Sequence, residues 1–582
     1  MLLRHLTATL LCTGLAAQTA DLAGPLTDLL PTSTYAVVEF GGLAACRAEA
    51  NALPLAALVH GFLDRVPADV RSERLERGID TAADRLQRLL QRLDLDAHDL
   101  QAILRQPMLL AIGRLTIEGM GPSLCLVVDE RGATAAIDRV RAALRQHLPG
   151  ARLEAAEVAG VALEQLTMPG GPPVWFGSLA GRLVVSNSRG YLEEIAAVAG
   201  GAAPSLGAGL RAMPGAAPGG PPLASLFLDG RRVLASLEPH LPYEAARWSD
   251  TLGIGLLQTL HVSVRGGADR LQVGIGGSSH GLAKVLLAAP ADLGFARACS
   301  ANTVAFGAGT LDLAGLMAAW QGLLTLLPAE PSRELQRELG RGLRRAGAKP
   351  GEVAAIARAF APQVAFALAL EKGAVPKPEL LLRVGVRDAA VVRDALQGLE
   401  TETTREGLEW RARRVGEHTI RFCNVRLPGD GLQLSPCYVL HADGLWCASD
   451  TAALVRALRQ AEHGDDSLAA QPDFVALQRA TQGASGVLHL RWFRAAELGW
   501  RSVETWLYPQ LDAHSDELGF GREALPDADE TARALATSTL VYRIDDAGVT
   551  VNSRGPFTIG SLLAAVGALA DDVLSRAAGR IY

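Results

Sequence analysis

Short apolar runs that alternate with polar positions recur along the chain, each closed by Gly, Pro or Asp, with stretches of helical spacing between them. Residues 35–40 form the first predicted strand. Val70, Leu75, Ile79, Leu86, Leu90 and Leu93 then fall on one stripe of a long amphipathic helix. Pro107 opens an apolar strand, Leu124, Leu126 and Val128 alternate in a second, and a helix ends at Leu144. Short strands with Gly/Pro turns follow, then a helix, a loop rich in Ala, Gly and Pro over 200–222, and a further strand and helix. A hairpin closes the unit, with arms 260–264 and 271–275 around Gly266-Gly267-Ala268-Asp269. Consecutive hairpin strands pair antiparallel, so the pattern predicts an α+β fold with a largely antiparallel sheet packed against helices, not a doubly wound parallel sheet.

The same order returns at a spacing of roughly 260 residues, which predicts two tandem copies of one domain. Pro173-Val174-Trp175-Phe176 and the following Gly181-Arg182-Leu183-Val184 align with Pro436-Cys437-Tyr438 and Gly444-Leu445-Trp446. Leu183 and Leu445, Leu192 and Leu454, Ser205 and Ser467, and Leu226 and Leu488 are each 262 residues apart. Pro362 matches Pro107, and Leu380, Leu382 and Val384 match Leu124, Leu126 and Val128. A helix ending at Leu399 matches the one ending at Leu144, and residues 303–311 match 35–43 more weakly. The second closing hairpin spans 539–544 and 549–551 around Asp545-Asp546-Ala547-Gly548. A helix over 279–289 joins the copies, and a similar apolar helix over 559–574, interrupted by Asp571 and Asp572, ends the chain and is expected to pack on the sheet.

The 582-residue length exceeds what one hydrophobic core fills. A 49% hydrophobic and 20% charged composition is that of a folded protein, and a net charge of -6 spread along the chain disfavours nucleic-acid binding. Arg4 and the apolar run 6–17, with Ala16 and Ala17 before Gln18, read as a secretory signal too short to span a bilayer. Residues 1–17 are therefore expected to be a signal peptide, 18–290 the first repeat and 291–582 the second. The expected location is the periplasm or the extracellular space, with no membrane span after cleavage. Six cysteines follow the signal and none forms a CxxC pair, which disfavours zinc ribbons and thioredoxin-type centres. Cys423 and Cys437 flank Pro428-Gly429-Asp430-Gly431 symmetrically about Asp430. They are spaced either for a cross-strand disulfide or to remain two buried thiols.

Three stretches carry a family likeness: Pro31-Thr32-Ser33-Thr34-Tyr35-Ala36-Val37-Val38-Glu39; Leu93-Asp94-Leu95-Asp96 leading to Leu100-Gln101-Ala102-Ile103-Leu104; and Ser467-Leu468 followed by Gln471-Pro472-Asp473-Phe474-Val475-Ala476-Leu477. With these the arrangement resembles a family of exported bacterial tandem-repeat proteins known only as a domain of unknown function. The resemblance implies a secreted or periplasmic two-repeat protein and implies no activity. The first copy lacks the Pro-Asp-Phe element.

One motif has the form of an enzyme signature. Gly277-Ser278-Ser279-His280-Gly281 fits G-x-S-x-G and follows a strand, which makes Ser278, Ser279 and His280 the candidate catalytic residues of a secreted hydrolase. Its strand closes a hairpin, however. Small residues suit a turn and an N-cap at a repeat junction, and the second copy reads Asn552-Ser553-Arg554-Gly555 there. No H-E-x-x-H and no G-x-x-x-x-G-K-[ST] occurs, and Gly215–Gly220 does not join a strand to a helix, so no metal and no cofactor is expected. Glu238, His240 and Glu244 read as a loop, as do His463, Asp465 and Asp466. Asp430, Asp443 and Asp450 read as turn residues. Trp492, Trp500 and Trp506 lie near one helical segment and are expected to pack in a core. The resulting expectation is a non-catalytic protein, binding or structural, that uses a cleft or face between two repeats, with a protein or peptide as its expected partner.

Overall fold

The structure, a computed structural model, describes residues 25–70, 77–92, 95–114, 122–147, 152–212, 222–237, 239, 257–275, 289–326, 329–345, 352–371, 376–426, 433–464, 466–545 and 548–579. The predicted signal peptide 1–17 and the junction helix 279–289, except Ala289, lie outside them.

In the first half the strands are β1 (Ala36–Phe40), β2 (Met108–Ile112), β3 (Leu124–Asp129), β4 (Arg152–Val158), β5 (Val161–Thr167), β6 (Val174–Leu179), β7 (Arg182–Ser186), β8 (Ala224–Asp229), β9 (Leu257–Arg265) and β10 (Ala268–Ile275). The second half has β11 (Thr303–Thr310), β12 (Phe360–Glu371), β13 (Lys377–Val386), β14 (Trp410–Val415), β15 (His418–Cys423), the short β16 (Val425–Arg426) and β17 (Gln433–Leu434), β18 (Cys437–His441), β19 (Gly444–Ala448), β20 (Gly486–Arg491), β21 (Thr537–Asp545) and β22 (Gly548–Arg554). All but β16 and β17 join one 20-stranded sheet. Every pairing among the described residues is antiparallel, as the alternating pattern requires.

Pairing through the first half runs β4-β5-β6-β7-β3-β2-β1-β8-β9-β10. In the second it runs β14-β15-β18-β19-β13-β12-β11-β20-β21-β22. β10 pairs with β22 from Ala268↔Arg554 to Gly274↔Gly548, and this ladder makes the two halves one sheet. Phe360 starts β12, so Pro362 lies inside the strand, where the ladder is irregular between Phe360 and Val364 because Pro has no N–H to donate.

Helices cover both faces. Ten matter here: α1 (Leu43–Ala52), α2 (Pro54–Arg65), α3 (Arg77–Arg92), α4 (Ala97–Leu104), α5 (Arg189–Ala199), α6 (Leu313–Leu326), α7 (Ala329–Arg345), α8 (Val353–Ala359), α9 (Thr451–His463) and α10 (Ile559–Gly579). Val37, Leu109, Ala111 and Phe227 of the sheet bury against Leu29, Leu30 and α5 residues Tyr191, Leu192 and Ile195. In the second half Phe306, Ala365, Ala367 and Leu381 bury with Trp446, Leu454, Leu458 and Phe474.

The C-terminal helix departs from expectation. It runs to Gly579, and its main partners are α1, α3 and α4 of the first half rather than the sheet alone. Asp269, in the first residues of β10, accepts the N–H groups of Ile559 and Gly560 (2.7 and 3.0 Å) and so fixes where α10 begins. Gly567 lets α10 approach α1: a Cβ there would lie 2.5 Å from Cys46 Cβ. Asp571 does not interrupt the helix. Its side chain is fully buried and accepts from Arg47 Nε (2.7 Å), Arg105 Nε (2.7 Å) and Gln101 Nε2 (2.9 Å). Burial alone would raise its pKa; the Arg105 and Gln101 hydrogen bonds and the two arginine charges outweigh that and hold it below the usual carboxylate range.

Cys423 and Cys437 are free, buried thiols. The register places Phe422 opposite Cys437, and the β16·β17 pairs Val425↔Leu434 and Arg426↔Gln433 keep the same register. Cys423 and Cys437 are therefore not cross-strand partners but lie on opposite faces of the ladder, and of the two alternatives the structure has the two buried thiols.

Gly548 sits at the end of the joining ladder with φ +136°, and a Cβ there would meet Val273 O at 1.9 Å. Gly548→Ala is expected to cost about 1–3 kcal/mol and to loosen that end of the seam, read as faster hydrogen exchange in β10 and β22 and a lower denaturation midpoint.

Candidate functional site

A cavity of about 740 Å³ lies on the second half, among α6, α7 and α8. The sequence of α6, LAGLMAAWQGLLTL, has only Gln321 and Thr325 as polar side chains, so it presents apolar surface on every side. Asp312 starts it by accepting the N–H of Ala314 (3.1 Å). The strongly amphipathic α7 is tied to α6 by Ser332 Oγ, which donates to Leu324 O (2.8 Å). α8 completes the wall. Met317, Leu324, Val353 and three alanines form the apolar part of the lining; Trp320, 37% exposed, stands at its edge. Arg333 and Arg337, one turn apart on α7, and Arg358 on α8 supply the charge, with Gln321 and Gln336. None of the described lining residues carries a carboxylate, hydroxyl, thiol or imidazole. Such a lining attracts anions and apolar groups.

Asp473, Cys437 and Cys447, whose pKa values are strongly shifted, are engaged in packing. Asp473 accepts from His489 Nε2 (3.2 Å) and Arg491 Nε (2.7 Å), while Arg491 also donates to Ala301 O (2.6 Å) and Thr303 O (3.1 Å). Burial would raise the Asp473 pKa, but the His489 and Arg491 hydrogen bonds prevail and bring it to about 2. The Pro-Asp-Phe element thus has a structural meaning. Pro472 opens a helix, Asp473 holds two nearly inaccessible basic side chains, and Phe474 fills the core edge-to-face with Phe306 at 5.1 Å. A separate polar cluster joins Asp443 to His441 Nδ1 (2.5 Å), Trp446 Nε1 (2.8 Å) and Arg383 Nη1 (3.4 Å), with the His418 ring 5.1 Å from that of His441 and tilted against it. Burial pushes the Cys437 thiol up to about 12 and the Cys447 thiol up to about 11, which suppresses the reactive thiolate in both.

Ser278, Ser279 and His280 lie outside the described residues, as do Glu238, His240, Glu244, Gly215–Gly220, Asp430 and Asp465. His463 Nδ1 lies 3.0 Å from Arg459 O in the last turn of α9, and Asp450 caps the start of α9 through the N–H of Ala453 (2.8 Å). Asp443 binds side chains rather than its own turn alone. Trp492 donates to Ser538 Oγ (2.8 Å) and meets Phe557, but Trp506 is 69% exposed, so the three tryptophans do not share a core. Among the described residues no group of three or more His, Cys, Asp or Glu is placed to hold a metal ion, and no helix is long and apolar enough to cross a membrane. The groove residues escaped the sequence reading; the signal was present in α6, whose apolar residues occupy more than one face and demand more cover than one neighbour gives.

Asp473 yields a pH test. Its folded pKa lies below the unfolded value of about 3.9, so its stabilisation is present above about pH 4 and is lost as the pH falls toward 2, about 2 kcal/mol in all. Denaturant unfolding of Asp473→Asn is expected to show a lower plateau near neutrality and a shallower decline below pH 4. An unchanged acid limb would refute this assignment.

No family model, no curated protein and no solved structure matches this chain.

Proposed function

We propose that the chain is an exported, non-catalytic binding protein built from two diverged copies of one α+β domain, working in the periplasm or the extracellular space. The observation that carries the binding reading is the lining of the α6–α7–α8 groove: apolar side chains and three arginines, with no group able to attack or to take a proton among its described lining residues. Support for the two copies comes from the strand orders given above, which correspond term by term when β1, β2, β3 and β4 are set against β11, β12, β13 and β14, and so on to β10 against β22. Leu183 lies opposite Val128 and Ser178; Leu445 lies opposite Val384 and Leu440. Val37 pairs with Ala111 and Phe227, and Phe306 pairs with Ala367 and His489. That equivalence is one residue off the weaker sequence match of 35–43 with 303–311, and an irregularity in β11 between Thr303 and Ala305 accounts for it. Export rests on the apolar run 6–17.

Three measurements test the reading. The neutral fluorophore N-phenyl-1-naphthylamine is expected to brighten on binding the full chain and to lose that response in Ala318→Trp, which fills the groove, with the melting temperature unchanged. Hydrolysis of a p-nitrophenyl ester that disappears in Ser279→Ala would establish the hydrolase instead. N-terminal sequencing of the protein recovered from the envelope or medium of its host is expected to begin near Gln18; a chain starting at Met1 would remove the export part of the proposal.

A further inference from the structure

The groove reading extends to a ligand class. We propose that the α6–α7–α8 groove takes one single-chain anionic amphiphile, a long alkyl carboxylate or alkyl phosphate. The tail lies along Met317 and Leu324, and the head is held by Arg333, Arg337 and Arg358. The inference rests on the binding function proposed above and adds the chemistry of the ligand.

Charge is the first argument. Three guanidinium groups border an apolar slot, and no acid stands among its described lining residues. Arginine meets carboxylate and phosphate oxygens through paired N–H donors, so an anionic head at this rim gains charge-assisted hydrogen bonds that an uncharged head does not. The side chains of Met317 and Leu324 offer a long or branched apolar surface with no donor or acceptor, which suits an alkyl chain and gives a polar ligand nothing to bond.

Shape is the second. In the first half the helices between β1 and β2 surround α10, which packs on α1, α3 and α4 and seats the carboxylate of Asp571 among Arg47, Arg105 and Gln101. The helices between β11 and β12 are α6, α7 and α8. There α6 packs directly on α8, and the remaining space of about 740 Å³ falls within the range of small-ligand pockets and is narrower than a seat for a helix roughly 10 Å across. The chemistry of the two places is alike, an acid among arginines beside apolar helices, but the second is sized for a slender occupant. It follows that the chain binds one equivalent, although it has two halves.

The test is calorimetric titration of the full chain with sodium laurate, dodecyl phosphate and dodecyl maltoside, each below its critical micelle concentration. One equivalent of laurate or dodecyl phosphate is expected to bind at least about tenfold more tightly than the maltoside. Preference for laurate would point to a free fatty acid as the source, preference for the phosphate to a lipid headgroup, and both support the proposal. The exposed pair Arg333→Ala/Arg337→Ala is expected to erase the anion preference while leaving maltoside affinity within about twofold, and Arg358→Ala gives a second, independent reading. Equal affinity for all three chains, a stoichiometry of two, or anion binding that survives Ala318→Trp overturns the inference. So does saturation by a peptide of residues 559–579 with no laurate binding, which would assign the groove to a helix. Should N-phenyl-1-naphthylamine still bind and the anions fail, the amphiphile falls while the binding function stands; if nothing enters the groove, both fall.

Discussion

The backbone ladder between β10 and β22 fixes the rest of the molecule. Without it each half would end in an open strand edge, a row of unpaired N–H and C=O groups that invites association with other chains. Pairing the two edges satisfies both at once and turns two ten-strand arrays into one sheet. Its register also sets where the chain goes next. β22 ends at Arg554 opposite Ala268, beside the β9–β10 turn, so the last helix has to start over the first half. Asp269 then accepts the first amides of α10 from the neighbouring half. A shift of one pair would turn Val551 and Leu271 to opposite faces and carry the start of α10 away from its cap.

That crossing explains why so many buried charges are structural. Asp571 lies between Arg47 and Arg105, groups more than 450 residues away in sequence, and Arg491 ties Asp473 to the carbonyls of Ala301 and Thr303. Arg182 pairs with Asp129 across β7 and β3. Replacing such a pair by apolar residues can be neutral, but removing one partner leaves a charge without water or counter-charge, so the pairs punish wrong registers more than they add stability. The lowered pKa values of Asp473 and Asp571 mark places where the chain is locked by these pairs.

How much was legible in the sequence follows from the range of each signal. Hairpins were legible because alternation and turn residues are local. Gly181 and the runs on either side of it announce β6 and β7, and Gly266-Gly267 announces the turn between β9 and β10. The partner of an edge strand is not local: β10 and β22 alternate like interior strands, and nothing in either names the other. Asp571 read as a break in an apolar helix because its arginines come from α1 and from the residue after α4, far upstream. The symmetric spacing of Cys423 and Cys437 about Asp430 left a bond or two thiols open; the register that pairs Phe422 with Cys437 decides between them, and in a ladder of period two one residue reverses a face. The Pro-Asp-Phe stretch was noticed as a pattern, while the basic side chains that give it meaning sit on β20, beyond the helix that Pro472 opens. The groove was least legible of all, since its walls come from three helices and its character depends on what does not cover them.

The same crossing accounts for the contrast between the halves. α10 is spent on the first half, where its Gly567 and Asp571 close the space among α1, α3 and α4. α6 in the second half is at least as apolar as α1, yet α7 turns a largely charged surface toward water and α8 is only seven residues long. Two short or polar helices cannot cover an all-round apolar one, so surface is left over, and three arginines stand at its border. An uncovered apolar surface is a cost to a folded protein unless something occupies it. On the proposed two-copy reading, the seat that α10 fills in the first half corresponds to the groove proposed for a ligand in the second. The β10·β22 ladder joins both halves whichever of the two is filled.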